Sequence, residues 1–223
     1  MKNAYWIIGF VLLASACSRN GGNMPVTGGN NEEGMSQEDQ KLADSKLEPS
    51  QYVSWIEDKN NGLQKEKKID EVLFTVQYRP LPYIICEEEK KMDLVDSLVK
   101  RRSAELDGMQ YVSMKIEVPN GELLKYGTTT TEQYEDRVNY FSFGMQKDIQ
   151  LVEDGDTLPC LLFHYERVYD LAPYGTFLIA FSKGKDVNGD KTLIFSDNQF
   201  NKGIIKFYFN GKDMRKVPQL ATI

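Results

Sequence analysis

The chain has 223 residues and a formal net charge of −6, with three cysteines and one histidine. An acidic chain gains no counterion-release free energy from nucleic acid, so this charge excludes DNA and RNA as expected partners. The length suits one domain of about 150–200 residues, or two small ones, beside terminal segments.

The first seventeen residues have the order of a secretory signal peptide. Lys2 precedes an apolar run over 4–14, and Ser15 and Ala16 then lead to Cys17. This run is too short for a transmembrane helix, which needs about 20 apolar residues. The segment resembles the signal peptide of bacterial lipoproteins, which implies that Cys17 is lipidated and becomes the first mature residue. A secretory signal cut near Ala16 without lipidation is the alternative.

A flexible tether is predicted over 17–50, because glycine and asparagine dominate 18–35 and apolar residues there are few. A coil of about 33 residues reaches roughly 30 Å, which lets a folded domain stand away from a bilayer. A short helix within 36–47 is compatible with the sequence. We therefore predict a signal peptide over 1–16, a lipidated cysteine and tether over 17–50, and a single β-rich globular domain over 51–223.

The globular part carries the patterns of many strands and one helix. Apolar and polar side chains alternate over 72–78, with Leu73 as the exception, and over 111–118, which is the period of a half-buried strand. Residues 87–107 instead repeat apolar side chains at helical spacing, with glutamates first and basic residues later, as the helix dipole favours. Further strands are predicted at 52–56, 138–145, 149–152, 160–169, 176–181, 192–195 and 204–209. The predicted class is mainly β (α+β): an antiparallel β-sandwich or small barrel with one amphipathic helix near residues 87–107.

Two cysteines, Cys86 and Cys160, remain once Cys17 is lipidated. Both lie in apolar, strand-like runs, over 83–86 and 160–163. In an oxidising periplasm the two can form a disulfide, and two separate buried thiols are the alternative. The chain has no C-x-x-C spacing and a single histidine, so we predict no metal site and no cofactor.

The single histidine, His164, shares a face with Glu166 on an alternating strand. Such a pair could orient a water molecule for hydrolysis. Neither a G-x-S-x-G nor an S-x-x-K motif accompanies the pair. A hydrolase built around His164 and Glu166 is therefore the less favoured hypothesis, and we predict that the protein is not an enzyme.

Acidic and amide side chains alternate at Asp186, Asn188 and Asp190, which is the spacing of calcium ligands. The two most diagnostic places of an EF-hand-like loop, however, hold Lys191 in place of glycine and Asp197 in place of glutamate. The segment is better interpreted as a hairpin turn around Asn188.

The functional prediction combines tethering with the lack of a catalytic motif. We expect a membrane-anchored envelope lipoprotein that acts as a non-catalytic binding or scaffold module for a protein partner. The alternative is a carbohydrate- or ligand-binding lipoprotein that uses exposed aromatic residues. The candidates for such a platform are Tyr134, Tyr140, Phe141, Phe143, Tyr165, Tyr169 and Tyr174. The mature sequence also resembles lipoproteins of Bacteroidota, and the lack of acidic residues over 18–22 implies an outer-membrane anchor that faces the periplasm.

Overall fold

The computed structural model describes residues 35–90, 94–167 and 172–223, and Met35–Ile223 form one compact unit. The predicted signal peptide, Cys17 and the first part of the tether lie outside the described residues. None of the described helices is long and apolar enough to cross a membrane.

Helices and strands are mixed along the described chain. The α-helices are α1 (Gln37–Ala43), α2 (Pro49–Glu57), α3 (Leu81–Glu89), α4 (Asp96–Leu106), α5 (Thr131–Asn139) and α6 (Gly211–Arg215). The strands are β1 (Lys46–Leu47), β2 (Gln64–Ile69), β3 (Val72–Arg79), β4 (Met109–Glu117), β5 (Ile149–Glu153), β6 (Asp156–Leu158), β7 (Cys160–Glu166), β8 (Tyr174–Ser182), β9 (Lys191–Asp197), β10 (Gly203–Phe209) and β11 (Gln219–Leu220). The predicted α+β class is confirmed.

The core lies between two antiparallel sheets. A five-stranded sheet has the order β2-β3-β4-β8-β7, and a four-stranded sheet has the order β10-β9-β5-β6. The rings of Phe74 on β3 and Phe195 on β9 lie 6.2 Å apart, which places the inner faces of the two sheets against each other. The described strands therefore form a β-sandwich with open strand orders.

Side chains at alternate positions form the buried face of the five-stranded sheet. Phe74 pairs with Ile116 across β3 and β4, and Met114 pairs with Phe177 across β4 and β8; all four side chains are fully buried. Full burial of each such apolar side chain contributes about 1.5–3 kcal/mol. The alternation predicted over 72–78 and 111–118 thus identifies the core face correctly.

The strand predicted at 52–56 is wrong, because these residues belong to α2. Pro49 occupies the first turn of this helix, where a missing N–H costs nothing. Glu48 and Gln51 form a reciprocal capping box at its start. Tyr52 and Ile56, four residues apart, are the side chains that α2 buries in the core.

The region of the predicted helix over 87–107 contains two helices, α3 and α4. The chain leaves α3 at Lys90, which has the left-handed φ of 50°, and the described chain resumes at Leu94. The strand-like run over 83–86 lies inside α3, whose first turn accommodates Pro82.

The strand predicted at 138–145 is also wrong. The Thr130 side chain caps α5 by accepting from the N–H of Gln133, and a π-helical turn, Tyr140–Gly144, continues the helix. Phe141 in this turn is fully buried, and its ring lies 5.3 Å from that of Phe177. Packing against β8 therefore decides the conformation against the local strand propensity.

The compact unit begins at Met35, whereas the sequence predicted a start at residue 51. A helix does form within the predicted tether, as α1. Beyond it, β1 pairs in parallel with β11, and the N–H of Gln219 donates to the carbonyl of Ser45 at 2.8 Å. This pairing joins segments far apart in sequence, so no local sequence pattern predicts it.

Candidate functional site

His164 and Glu166 lie on the outer face of β7, the last strand of the five-stranded sheet. Both side chains are exposed, whereas their neighbours Phe163 and Tyr165 pack against the core. Within the described ranges neither His164 nor Glu166 makes a side-chain hydrogen bond or ion pair. The structure thus brings the two residues onto one face, as predicted, without joining them into a dyad.

The calcium-like spacing at 186–190 surrounds an internal ammonium group. The Nζ of Lys191 donates to Oε2 of Glu153 at 2.7 Å, to the carbonyl of Asp186 at 2.9 Å and to the carbonyl of Gly189 at 3.3 Å. Lys191 and Glu153 are almost completely buried, at 0% and 2% side-chain exposure. The loop therefore folds around its own cation. In the described part of the chain, no group of three or more His, Cys, Asp or Glu side chains could hold a metal ion.

A buried polar network connects this loop to the end of the sandwich. Gln110 on β4 donates through Nε2 to Oε2 of Glu153 at 3.1 Å, and the Tyr78 hydroxyl donates to Oε1 of Gln110 at 3.3 Å. Burial opposes the charged form of Glu153, but hydrogen bonds from Lys191, from the N–H of Asp186 and from Gln110 outweigh it and lower the pKa of this carboxyl. The hydrogen bonds of this network fix the loop over 183–190 to β4 and β5 through Gln110 and Glu153.

Cys86 and Cys160 are both free thiols in the structure. Cys86 is buried in α3, and burial raises the pKa of its thiol to about 11. Cys160 begins β7 and is half-buried, and burial raises the pKa of its thiol as well. The thiols are therefore poor nucleophiles, since the thiolate is the reactive form.

Four of the seven aromatic residues proposed as a sugar platform pack in or against the core, namely Tyr134, Tyr140, Phe141 and Tyr165. Tyr165 stacks on Phe177 with ring centroids 4.8 Å apart, and Phe141 is fully buried. Tyr169 lies outside the described residues. Phe143 differs from the rest, because its side chain is 76% exposed.

A cleft of about 630 Å³ opens at the end of the sandwich where β3 ends and β4 begins. Its size falls in the range of small-molecule sites. Apolar side chains dominate its walls, and the Tyr78 and Gln110 side chains of the buried network reach its lining. The apolar lining includes Leu81, Val99, Met109, Met214, Val217 and Leu220.

Exposed apolar side chains concentrate at the free edge of β7. Leu161 and Leu162 are 55% and 45% exposed, and Phe143 stands beside this edge. A hollow of about 400 Å³ runs between the π-helical turn and β7, with Phe143, Gln146 and Phe163 in its lining. We call Phe143, Leu161 and Leu162 the β7 edge patch.

The β7 edge patch escaped sequence reasoning because it depends on strand order. Cys160-Leu161-Leu162-Phe163 resembles an ordinary core strand in the sequence. A β-bulge between Cys160 and Leu162 breaks the alternation and leaves two consecutive leucines exposed. Two adjacent apolar residues in a strand of an otherwise alternating sheet are the one local signal of the patch.

Comparison with known proteins identifies no family for this chain. No protein-family model, no curated protein and no solved structure matches the chain.

Proposed function

We propose that this chain is a non-catalytic envelope lipoprotein that binds a protein partner through the β7 edge patch. The exposure of Phe143, Leu161 and Leu162 at one edge carries the proposal. Clustered exposed apolar side chains are characteristic of protein–protein interfaces, because their association removes apolar surface from water. In this proposal, lipidated Cys17 anchors the domain to the outer membrane on its periplasmic side.

Site-specific photo-crosslinking tests the binding surface. A photoreactive phenylalanine analogue replaces Phe143 or Leu161 in the full-length chain, in its own cell envelope. The matched control replaces Ile204, which is 68% exposed on β10, an edge strand of the four-stranded sheet. We expect one discrete adduct of the same mass at positions 143 and 161. Equal adducts at position 204, or none at 143 and 161, would contradict the proposal.

The anchoring part of the proposal is tested separately. We expect the Cys17→Ala variant to leave the membrane fraction and to lack the mass of the lipid. A Cys86→Ala variant serves as the control, because it removes a thiol without touching the signal sequence. A Cys17→Ala variant that stays in the membrane with unchanged mass would contradict lipidation.

A second candidate function is the binding of a small ligand in the terminal cleft. The cleft volume of about 630 Å³ and its apolar walls favour this alternative. Tyr52, Tyr78 and Tyr111 line the cleft, so aromatic contacts to a ligand would come from here rather than from exposed aromatic residues. Saturable ligand-induced stabilisation that a Val99→Trp substitution abolishes would support it, and stabilisation unchanged by that substitution would exclude the cleft.

A further inference from the structure

The geometry points to an extended peptide segment of the partner that adds to the five-stranded sheet as a further strand along the free edge of β7. This inference rests on the proposed function and specifies the chemistry of the partner. In strand addition, main-chain hydrogen bonds supply affinity and alternate side chains supply specificity.

The main-chain groups of β8 point alternately toward β7 and toward β4. The N–H of Ser182 donates to the carbonyl of Pro159 at 2.9 Å, so Ser182 faces β7. The next residue, Lys183, donates instead to Gly108, which precedes β4. Because successive residues of an antiparallel strand face opposite neighbours, Leu178 also directs its main-chain groups toward β7.

The register then identifies which groups of β7 have no strand partner. His164 pairs with Leu178, so the main-chain groups of His164 face β8. By the same alternation, the N–H and C=O groups of Phe163 and Tyr165 face the free edge. Since β7 stands last in the strand order, no strand of this sheet pairs with these groups. Their spacing matches the donors and acceptors of another extended chain.

A side chain already occupies part of this edge, in the way that a strand would. The Nε2 of Gln146 donates to the carbonyl of Cys160 at 3.4 Å. Cys160 follows Pro159, whose carbonyl faces β8, so the carbonyl of Cys160 faces the free edge. Gln146 thus supplies one hydrogen bond at the start of the edge, and the hollow of about 400 Å³ opens beside the rest.

The opposite edge of the same sheet differs in chemistry. Strand β2 carries Lys65, Lys67 and Lys68 among its six residues, and charged edge side chains discourage the addition of another strand. Strand β7 has no lysine and exposes two leucines instead. Of the two edges of this sheet, β7 is therefore the one suited to accept a strand.

Charge defines the partner segment further. Glu166 is exposed on the outer face of β7 and has no ion-pair partner among the described residues. Opposite charges on directly facing strand residues stabilise a sheet. The segment therefore carries Lys or Arg opposite Glu166, polar residues on the outer face, and an apolar residue that enters the hollow beside Phe143.

The test uses the full-length chain in detergent and a phage-displayed library of random nonapeptides as the probe. We expect selected peptides to alternate apolar and polar residues and to include a basic residue. The same selection on Glu166→Lys should enrich acidic residues in place of the basic one. Glu38→Lys, an exposed change on α1, is the matched control and should leave the selected pattern unchanged.

Backbone chemistry distinguishes strand addition from a side-chain contact. In one analogue of a selected peptide, every second main-chain nitrogen is methylated, so that the N–H donors that would face β7 are removed while every side chain is kept. In a second analogue, the other set of alternate nitrogens is methylated. We expect the first analogue to bind roughly tenfold more weakly than the unmethylated peptide, or worse, and the second analogue to lose less affinity. Equal binding by all three peptides would overturn the inference.

Failure of the inference and failure of the proposed function have different signatures. An empty selection, or cross-links only between two copies of this chain, overturns addition of a partner strand. A discrete photo-adduct to another protein at positions 143 and 161 would still support the proposed function, with a folded partner surface. Loss of those adducts removes the proposed function whatever the peptide selection yields.

Discussion

The buried ion pair between Lys191 and Glu153 gives a sharp test of how the fold is held at the cleft. Substitution Lys191→Met keeps a similar volume and removes the ammonium group. It leaves Glu153, at 2% side-chain exposure, without its charged partner, and removing one member of a buried pair costs about 3–5 kcal/mol. The carbonyls of Asp186 and Gly189 lose a donor as well. We therefore expect a loss of at least about 3 kcal/mol of unfolding free energy.

Urea unfolding measures this loss through the midpoint and the slope. The matched control is Lys185→Met, because Lys185 is 83% exposed and pairs with Asp156 in water. Exposed pairs contribute only about 0–1 kcal/mol, so this control should shift the midpoint little. The double variant Lys191→Met/Glu153→Gln should recover part of the loss, since it no longer buries an unpaired charge. A Lys191→Met loss as small as that of Lys185→Met would refute the reasoning.

The stability difference between the wild-type protein and Lys191→Met should also depend on pH in a defined direction. In the wild-type protein the pKa of Glu153 is lowered below its usual value, so its contribution is present at neutral pH and is lost as the pH falls through the folded-state pKa. In Lys191→Met the ammonium group that helps to lower this pKa is gone, so we expect the pKa of Glu153 to be higher than in the wild-type protein. As the pH rises, ionisation of Glu153 then stabilises the variant less than it stabilises the wild-type protein. The stability difference between the two proteins should therefore grow from about pH 4 toward pH 7.

Three further predictions concern the thiols, the loop and the core. Without reductant, Cys160 should react with a thiol reagent in the native protein and Cys86 only on unfolding, because Cys86 is buried with a pKa raised to about 11. Mass spectrometry checks the order of reaction. Two unreactive thiols in the unfolded protein would indicate a disulfide. Gly184→Ala should destabilise the fold by about 1–3 kcal/mol, because the new Cβ would lie 2.0 Å from Oε1 of Glu153, and an unchanged urea midpoint would contradict this. Phe74→Ala should cost about 3–5 kcal/mol and the exposed Phe143→Ala less than about 0.5 kcal/mol in thermal unfolding, whereas similar losses would contradict the assigned core.

The sequence predicts those parts of the fold that follow from local periodicity. Val72, Phe74 and Val76 recur at every second position, and they form the buried face of β3 as expected. The errors occur where capping or packing decides. Pro49 and the capping box marked α2 in the sequence, but the β-rich composition around Tyr52 obscured that signal.

The candidate site depends on contacts that no local pattern encodes. The exposure of Leu161 follows from the position of β7 at the end of the strand order and from the bulge beside it. The position of Phe143 follows from a π-helical turn that the sequence predicted as strand. The Lys191 ammonium, likewise, meets Glu153 across a separation of 38 residues.

Amide hydrogen exchange along β7 tests the central claim most directly. The amides of Phe163 and Tyr165 face the free edge, whereas that of His164 already faces β8. With the lipidated full-length chain in its native envelope, we predict that Phe163 and Tyr165 exchange at least roughly tenfold more slowly than in the purified chain, while His164 changes little. Equal exchange of Phe163 and Tyr165 in both preparations would contradict a partner bound along β7.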